Sequence, residues 1–199
     1  MRYSQISFTA RYSVAALVFI LVALGCTPQV VGPAEDASEN FSVFETEYHS
    51  IRVVPVAERL GNPWSLAFLP DGNMLVTEKA GSLRLIRDGV LQPDPVQGVP
   101  EVDARGQGGL MDVALHPQFG ENNWVYLTYS KPADGLATTA LARGRFDGTQ
   151  LTEVNDIFVA DAWSDTGGHF GGRLAFTPDG KLFMTVGERQ QSHRAQDTS

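Results

Sequence analysis

The sequence is short of cysteine, of positive charge and of long apolar runs, and each shortage removes a class of answers. Cys26 is the only cysteine in 199 residues, so no disulfide within the chain can hold it together, and stability has to come from packing. Lys and Arg number 15 against 23 Asp and Glu, a formal charge of −8. A surface of that sign repels phosphate instead of displacing its counterions, which argues against nucleic acid and against anionic lipid as partners. The apolar run Val14 to Leu24 has only eleven residues, too few to span a bilayer as a helix. A helical period is missing as well, since no stretch repeats apolar residues at intervals of three and four.

Arg2 and Arg11 precede that run and Gly25-Cys26 closes it, which is the layout of an export signal. Ala23-Leu24-Gly25-Cys26 resembles the lipobox of bacterial lipoproteins, although Leu is more usual where Ala23 stands. The resemblance implies lipidation of Cys26, with ordinary signal cleavage as the alternative. Residues 1–26 are therefore expected to be a signal peptide of the lipoprotein type. The protein would be exported to the periplasm or cell envelope and would touch the membrane only through a lipid anchor. Segment 1–26 carries two arginines and no acids, so its loss moves the formal charge from −8 to −10. Residues 27–44 mix Pro, Gly, Ser and acidic residues without periodicity and read as a flexible tether. The body is then 45–199.

From Ile51 onward the signals are β: short runs of Val, Leu, Phe and Tyr between Asp-Gly, Pro and Asn clusters. "SLAFLPDGNMLVTE" (65–78) and "RLAFTPDGKLFMTVGE" (173–188) are near copies, each a strand, a Pro-Asp-Gly turn and a second strand. A looser third copy is "LMDVALHPQFGENNWVYLTYS" (110–130). The turn prolines Pro70, Pro117 and Pro178 are 47 and 61 residues apart, near the roughly 40 to 50 residues of a four-stranded propeller blade. "SLRLIRDG" (82–89) and "ATTALARGRFDG" (137–148) alternate apolar and polar residues and read as outer strands of blades. The expectation is an all-β chain, a β-propeller in preference to a β-sandwich. About three blades are present, so the sequence reads as the N-terminal portion of a ring truncated at its C-terminus.

Propellers concentrate function where loops from the first strands converge on the central channel. Two such loops carry polar side chains among glycines, "ARGQGGLMDV" with Gln107 and "TGGHFGGRLAF" with His169. His169 reads as a reactive base presented at a strand mouth or as a turn histidine bonded to backbone; Gln107 reads as a ligand contact or as an amide capping its loop. Arg173 reads as a strand-entry arginine paired with an acidic neighbour, with a cofactor contact as the lesser alternative. His116 reads as a turn-shaping residue and His49 as a surface one. A zinc site from His116, His169 and His193 is disfavoured by gaps of 53 and 24 residues, which hold no compact ligand pair.

"NPWSLAFLPDG", "GQGGLMDVALHPQF" and "GGHFGGRLAFTPDGKLFMTVGE", followed by "AQD", resemble the pyrroloquinoline-quinone-dependent aldose sugar dehydrogenases of the glucose/sorbosone dehydrogenase family, which are six-bladed propellers. The resemblance implies that His169 is the general base, that Gln107 contacts the sugar, and that hydride passes from the anomeric carbon to the quinone (PQQ) to give a lactone. It implies an electron acceptor of unknown identity. Calcium commonly accompanies the quinone, with ligands expected outside this sequence together with most of the cofactor contacts. Gly168 stands where glucose-acting members can have aspartate, so the chain is closer to the broad-range aldose branch. His193 lies near where some members place a substrate-contacting glutamine. The portion seen here is not expected to be an enzyme by itself. Other readings are a noncatalytic envelope propeller that binds a protein or glycan, and a sugar-lactone hydrolase.

Overall fold

The structure, a computed structural model, describes residues 42–196. The export signal with Cys26, most of the expected tether, and Asp197 lie outside the described residues. β1 (Ser42–Glu45) and β2 (Ser50–Val53) form a hairpin. Its turn is closed by Thr46, whose N–H donates to His49 O at 3.0 Å and whose hydroxyl donates to the same carbonyl at 2.6 Å. The first strand described thus overlaps the end of the stretch expected to be tether, and His49 is an exposed turn residue.

The first blade is an antiparallel sheet of β3 (Pro63–Phe68), β4 (Met74–Glu78), β5 (Leu83–Arg87) and β6 (Val90–Leu91), in that order. The second is β7 (Leu110–Leu115), β8 (Trp124–Ala133), β9 (Leu136–Phe146) and β10 (Leu151–Val159). β11 (Gly171–Phe176) and β12 (Leu182–Val186) pair as the opening hairpin of a third. The first strands β3, β7 and β11 neighbour one another, so the sheets stand side by side about a common centre, as in a β-propeller.

The Pro-Asp-Gly turns close as their chemistry requires. Gly72 and Gly180 adopt φ of 87° and 82°, and their N–H groups donate to Leu69 O and Thr177 O, both at 2.9 Å. At His-Pro-Gln-Phe-Gly the chain makes a single helical turn, Phe119–Asn122. One expectation needs correction. The strands at 82–89 and 137–148 are third in their sheets, not outermost, because β6 and β10 lie outside them. β6 has only two residues, and β10 carries two register shifts that erase its alternation.

Packing between sheets supplies the core that disulfides cannot. Leu75 and Leu85 of the first blade meet Leu110, Val113 and Leu127 of the second, each worth about 1.5 to 3 kcal/mol when buried. Tyr126 and Leu141 of the second meet Leu174, Phe176 and Met184 of the third. A repeated polar pattern accompanies them. The N–H of Ser65, Asp112 and Arg173 donates to the hydroxyl oxygen of Thr77, Thr128 and Thr185 at 3.0, 2.9 and 3.0 Å, within each hairpin. Thr77 in turn donates to Met111 O of the second blade, and Thr128 to Gly172 O of the third, both at 2.6 Å. Each first strand also carries a register shift at its entry, between Pro63 and Ser65, Leu110 and Val113, and Gly171 and Leu174.

Candidate active site

The two glycine-flanked loops are joined. Gln107 N–H donates to Gly167 O at 2.6 Å, and the N–H of His169 donates to the Gln107 amide oxygen at 2.9 Å. The approach is so close that a Cβ on Gly106 would lie 2.2 Å from Gly167 O, closer than non-bonded atoms come; only glycine fits. Gln107 therefore caps loop backbone with its oxygen. It is exposed, and its amide N–H groups have no partner among the described residues, so the same side chain retains two donors for a ligand.

His169 itself holds φ at 53°, the left-handed region that a non-glycine residue occupies only when its surroundings over-determine it. The surroundings do. Besides Gln107 on its N–H, its carbonyl accepts from Arg189 N–H at 3.2 Å. A Cβ on Gly187 would fall 2.0 Å from that carbonyl oxygen, so the loop after β12 is threaded against the His169 loop by a second glycine. The imidazole Nδ1 is hydrogen-bonded to Glu188 Oε1. A carboxylate only accepts, so Nδ1 carries a proton, and the neutral form of the ring is the tautomer whose lone pair is on Nε2. The ring's side chain remains 48% exposed. The hydrogen bond from His169 is the main cause that lowers the Glu188 carboxyl below its ordinary value, helped by backbone donors and opposed by partial burial.

Arg189 runs the other way, into the protein. Its side chain is fully buried and its guanidinium donates to Gly168 O at 3.0 Å, Ala137 O at 2.9 Å and Thr166 O at 2.5 Å. Burial lowers its pKa, against the field of Asp103.

Arg173 is committed to an acidic partner, as its place at a strand entry suggests. Its Nη1 donates to Asp112 Oδ1 at 3.0 Å, and its guanidinium lies 4.8 Å over the Trp64 ring. Asp112, a buried carboxylate on β7, also accepts from Ser65 Oγ at 2.5 Å, Leu174 N–H at 2.7 Å and Val113 N–H at 3.0 Å, so it ties all three first strands. His116 shapes its turn: Nδ1 accepts from Gln118 N–H at 3.0 Å and from the Asn122 amide at 2.8 Å. His193 is exposed in a 3-10 turn, Ser192–Gln196. No group of three or more His, Cys, Asp or Glu among the described residues is placed to hold a metal ion.

Beside the dyad lies an open cleft of about 510 Å³ lined by Asp161, Val186, Gly187, Glu188 and Arg194. Arg194 Nη1 is buried without a hydrogen-bond partner among the described residues. A larger hollow of about 730 Å³ is mostly apolar and lies against the first sheet, with Val56, Leu66, Phe68 and Met74; no His, Asp or Glu is among its described lining residues. Sequence reasoning did not nominate Glu188, Arg189 or Asp112. The available signal was a charge inside or directly after an apolar strand, "LMDVAL" and "TVGER".

Residues 60–199 match the family described as glucose / sorbosone dehydrogenase. The chain belongs to the glucose/sorbosone dehydrogenase family. It is 42% identical over 152 residues to the aldose sugar dehydrogenase YliI of Escherichia coli, covering 74% of this chain and 41% of that protein. It is 39% identical over 163 residues to an uncharacterised protein of Synechocystis, covering 78% of this chain and 40% of that one. Among solved structures, the PQQ-bound aldose sugar dehydrogenase of Streptomyces coelicolor superposes with a TM-score of 0.64 at 28% identity, over 79% of this chain and 44% of that chain. The chain thus spans about two fifths of the length of the curated relatives it matches.

Proposed function

We propose that this chain supplies the proton-accepting side of a PQQ-dependent aldose dehydrogenase that oxidises sugars at the anomeric carbon to lactones. The observation that carries the proposal is the His169–Glu188 pair, in which Nδ1 is bonded to the carboxylate and the ring is half exposed. Nε2 of His169 takes the proton from the anomeric hydroxyl. Glu188 keeps the ring in the required tautomer and stabilises the imidazolium that forms, as a carboxylate behind a histidine base does. Gln107, fixed by its bond to His169 N–H, offers its amide donors to a sugar oxygen.

Whether the residues fit the quinone can be judged from the donors present. A tricarboxylate quinone needs cationic N–H groups near the base, and Arg194 presents a buried Nη1 with no partner among the described residues in the cleft that Glu188 lines. Arg194 would hold one carboxylate of the group. Arg173 is less suited, being engaged with Asp112. PQQ, when bound, is the hydride acceptor, and its reoxidation requires an external electron acceptor. Calcium, if it accompanies the cofactor, takes ligands outside the described residues.

The test is His169→Ala in the full-length protein. Loss of a positioned base typically costs about 10² to 10⁴ in rate, roughly 3 to 5.5 kcal/mol of barrier. Aldose oxidation with a dye acceptor should fall by about 10² or more while quinone binding persists. Turnover within about threefold of wild type would show that the base lies elsewhere.

We further propose that the protein is held in the cell envelope by lipid on Cys26. Support comes from the apolar run that ends at Gly25-Cys26. Cys26→Ser should move the protein from the membrane fraction to the soluble one; a wild type already soluble in the periplasm would point to ordinary cleavage.

A further inference from the structure

The dipeptide Glu188-Arg189 grips the base loop from two directions. Glu188 turns outward and meets the His169 ring, while Arg189 turns inward and meets the backbone just before it. Two of the three carbonyls on the guanidinium, Thr166 O and Gly168 O, belong to that loop. The third, Ala137 O, lies on β9 of the second blade. The planar fork therefore bolts the loop to the neighbouring sheet.

Main-chain contacts close the same knot. Arg189 N–H donates to His169 O at 3.2 Å, and Arg189 O accepts from the Thr166 hydroxyl at 2.7 Å. The guanidinium carbon lies 3.5 Å from the centroid of the Phe170 ring. Both His169 and Arg189 are held at positive φ, 53° and 59°.

A charge buried without a carboxylate in contact is costly. Cores that need only volume use an apolar side chain. Here the charge is offset by three charge-assisted bonds to carbonyls that diverge within one plane, a geometry that a guanidinium meets and an ammonium cannot. The acceptors it selects are the ones that fix where the imidazole emerges.

We propose that Arg189 is a positioning residue for His169: its buried guanidinium sets the base loop so that Nδ1 meets Glu188 and Nε2 faces the substrate. This rests on the reading of His169 as the base. Its consequence is separate from stability, since removing the fork frees the loop and lets the imidazole exchange between tautomers while the sheets remain packed.

The experiment uses the full-length protein labelled with ¹⁵N-histidine, as wild type, Arg189→Gln, Arg189→Lys and Arg189→Ala. Two readouts are taken well below the melting temperature: long-range ¹H–¹⁵N correlation of the His169 ring, and steady-state aldose oxidation. Wild type should show one tautomer, protonated at Nδ1. Arg189→Gln should show averaged tautomers, with kcat lowered about tenfold or more and KM within about threefold, as expected when an interaction made in the transition state is weakened. Arg189→Lys should fall between. Millimolar guanidinium, far below denaturing concentrations, should restore the single tautomer in Arg189→Ala.

A folded Arg189→Gln with the wild-type tautomer and kinetics within about threefold would overturn the proposal. So would failure of Gln, Lys and Ala variants alike to fold, which would make Arg189 a core residue. If the tautomer responds as expected but the wild type, loaded with quinone, oxidises no aldose, the positioning role stands and the proposed function fails.

Discussion

At the scale of the residue, chemistry at His169 depends on a neighbour whose charge is itself pH-dependent. The Glu188 carboxyl is lowered from an ordinary 4.5, chiefly by its bond to His169. A lowered folded-state value means that the contact contributes fully above the ordinary value and is lost as pH falls through the lowered one. The contact between the ring's Nδ1–H and the Glu188 carboxylate should therefore persist until pH drops below the normal glutamate range. A carbon-detected titration of Glu188 should give a midpoint below that range, and Glu188→Gln should abolish the step; a midpoint at the ordinary value would mean that the two groups do not meet in solution. His169 was legible in the sequence because a lone imidazole among glycines before a strand is an uncommon pattern. Glu188, Arg189 and Asp112 were not, because their partners lie 19 to 62 residues away, and spacing cannot display a contact that only the closed sheets create.

At the scale of the element, the repeat is deeper than the turns that announce it. Pro-Asp-Gly marked two hairpins, and the structure adds a threonine at the same place in each second strand, Thr77, Thr128 and Thr185. The first two donate to a carbonyl of the following sheet, and the third has no acceptor among the described residues. Thr77→Val and Thr128→Val should each cost about 1 to 2 kcal/mol, since a strand N–H and a neighbouring carbonyl lose their partner inside the protein. Thr185→Val should cost the chain of 199 residues less. Urea midpoints decide it: equal losses at all three positions would mean that the link between sheets contributes nothing. Strands with clean alternation, such as β3 and β5, were readable. β10 was not, because two bulges shift its residues from one face to the other, and β6 was too short to carry a period at all.

At the scale of the whole molecule, the all-β propeller architecture follows from three hairpins whose first strands stand together, with Asp112 of the middle one bonded to both others. Apolar side chains remain exposed on the outer faces, among them Leu66 and Phe68 on the first sheet and Phe183 and Val186 on the third. Sequence alone gave the class of fold because turn chemistry and alternation are local. How the sheets are fastened was hidden, because every fastening crosses between them. The bond from His169 N–H to the Gln107 amide spans 62 residues and joins loops that lead into different sheets, which makes it a clock for assembly. Each loop can form with its own hairpin, but that bond has to wait until both sheets have folded and docked, since contacts distant in sequence bear the chain-closure entropy before they return anything. In pulse-labelling exchange during refolding, the amide of His169 should gain protection later than amides of β8 and β9, which pair within one sheet. If it is protected together with them or earlier, the His169 loop is organised before the sheets meet. On the expected order, a newly made chain does not hold the His169 ring in its final place until its first blades have formed.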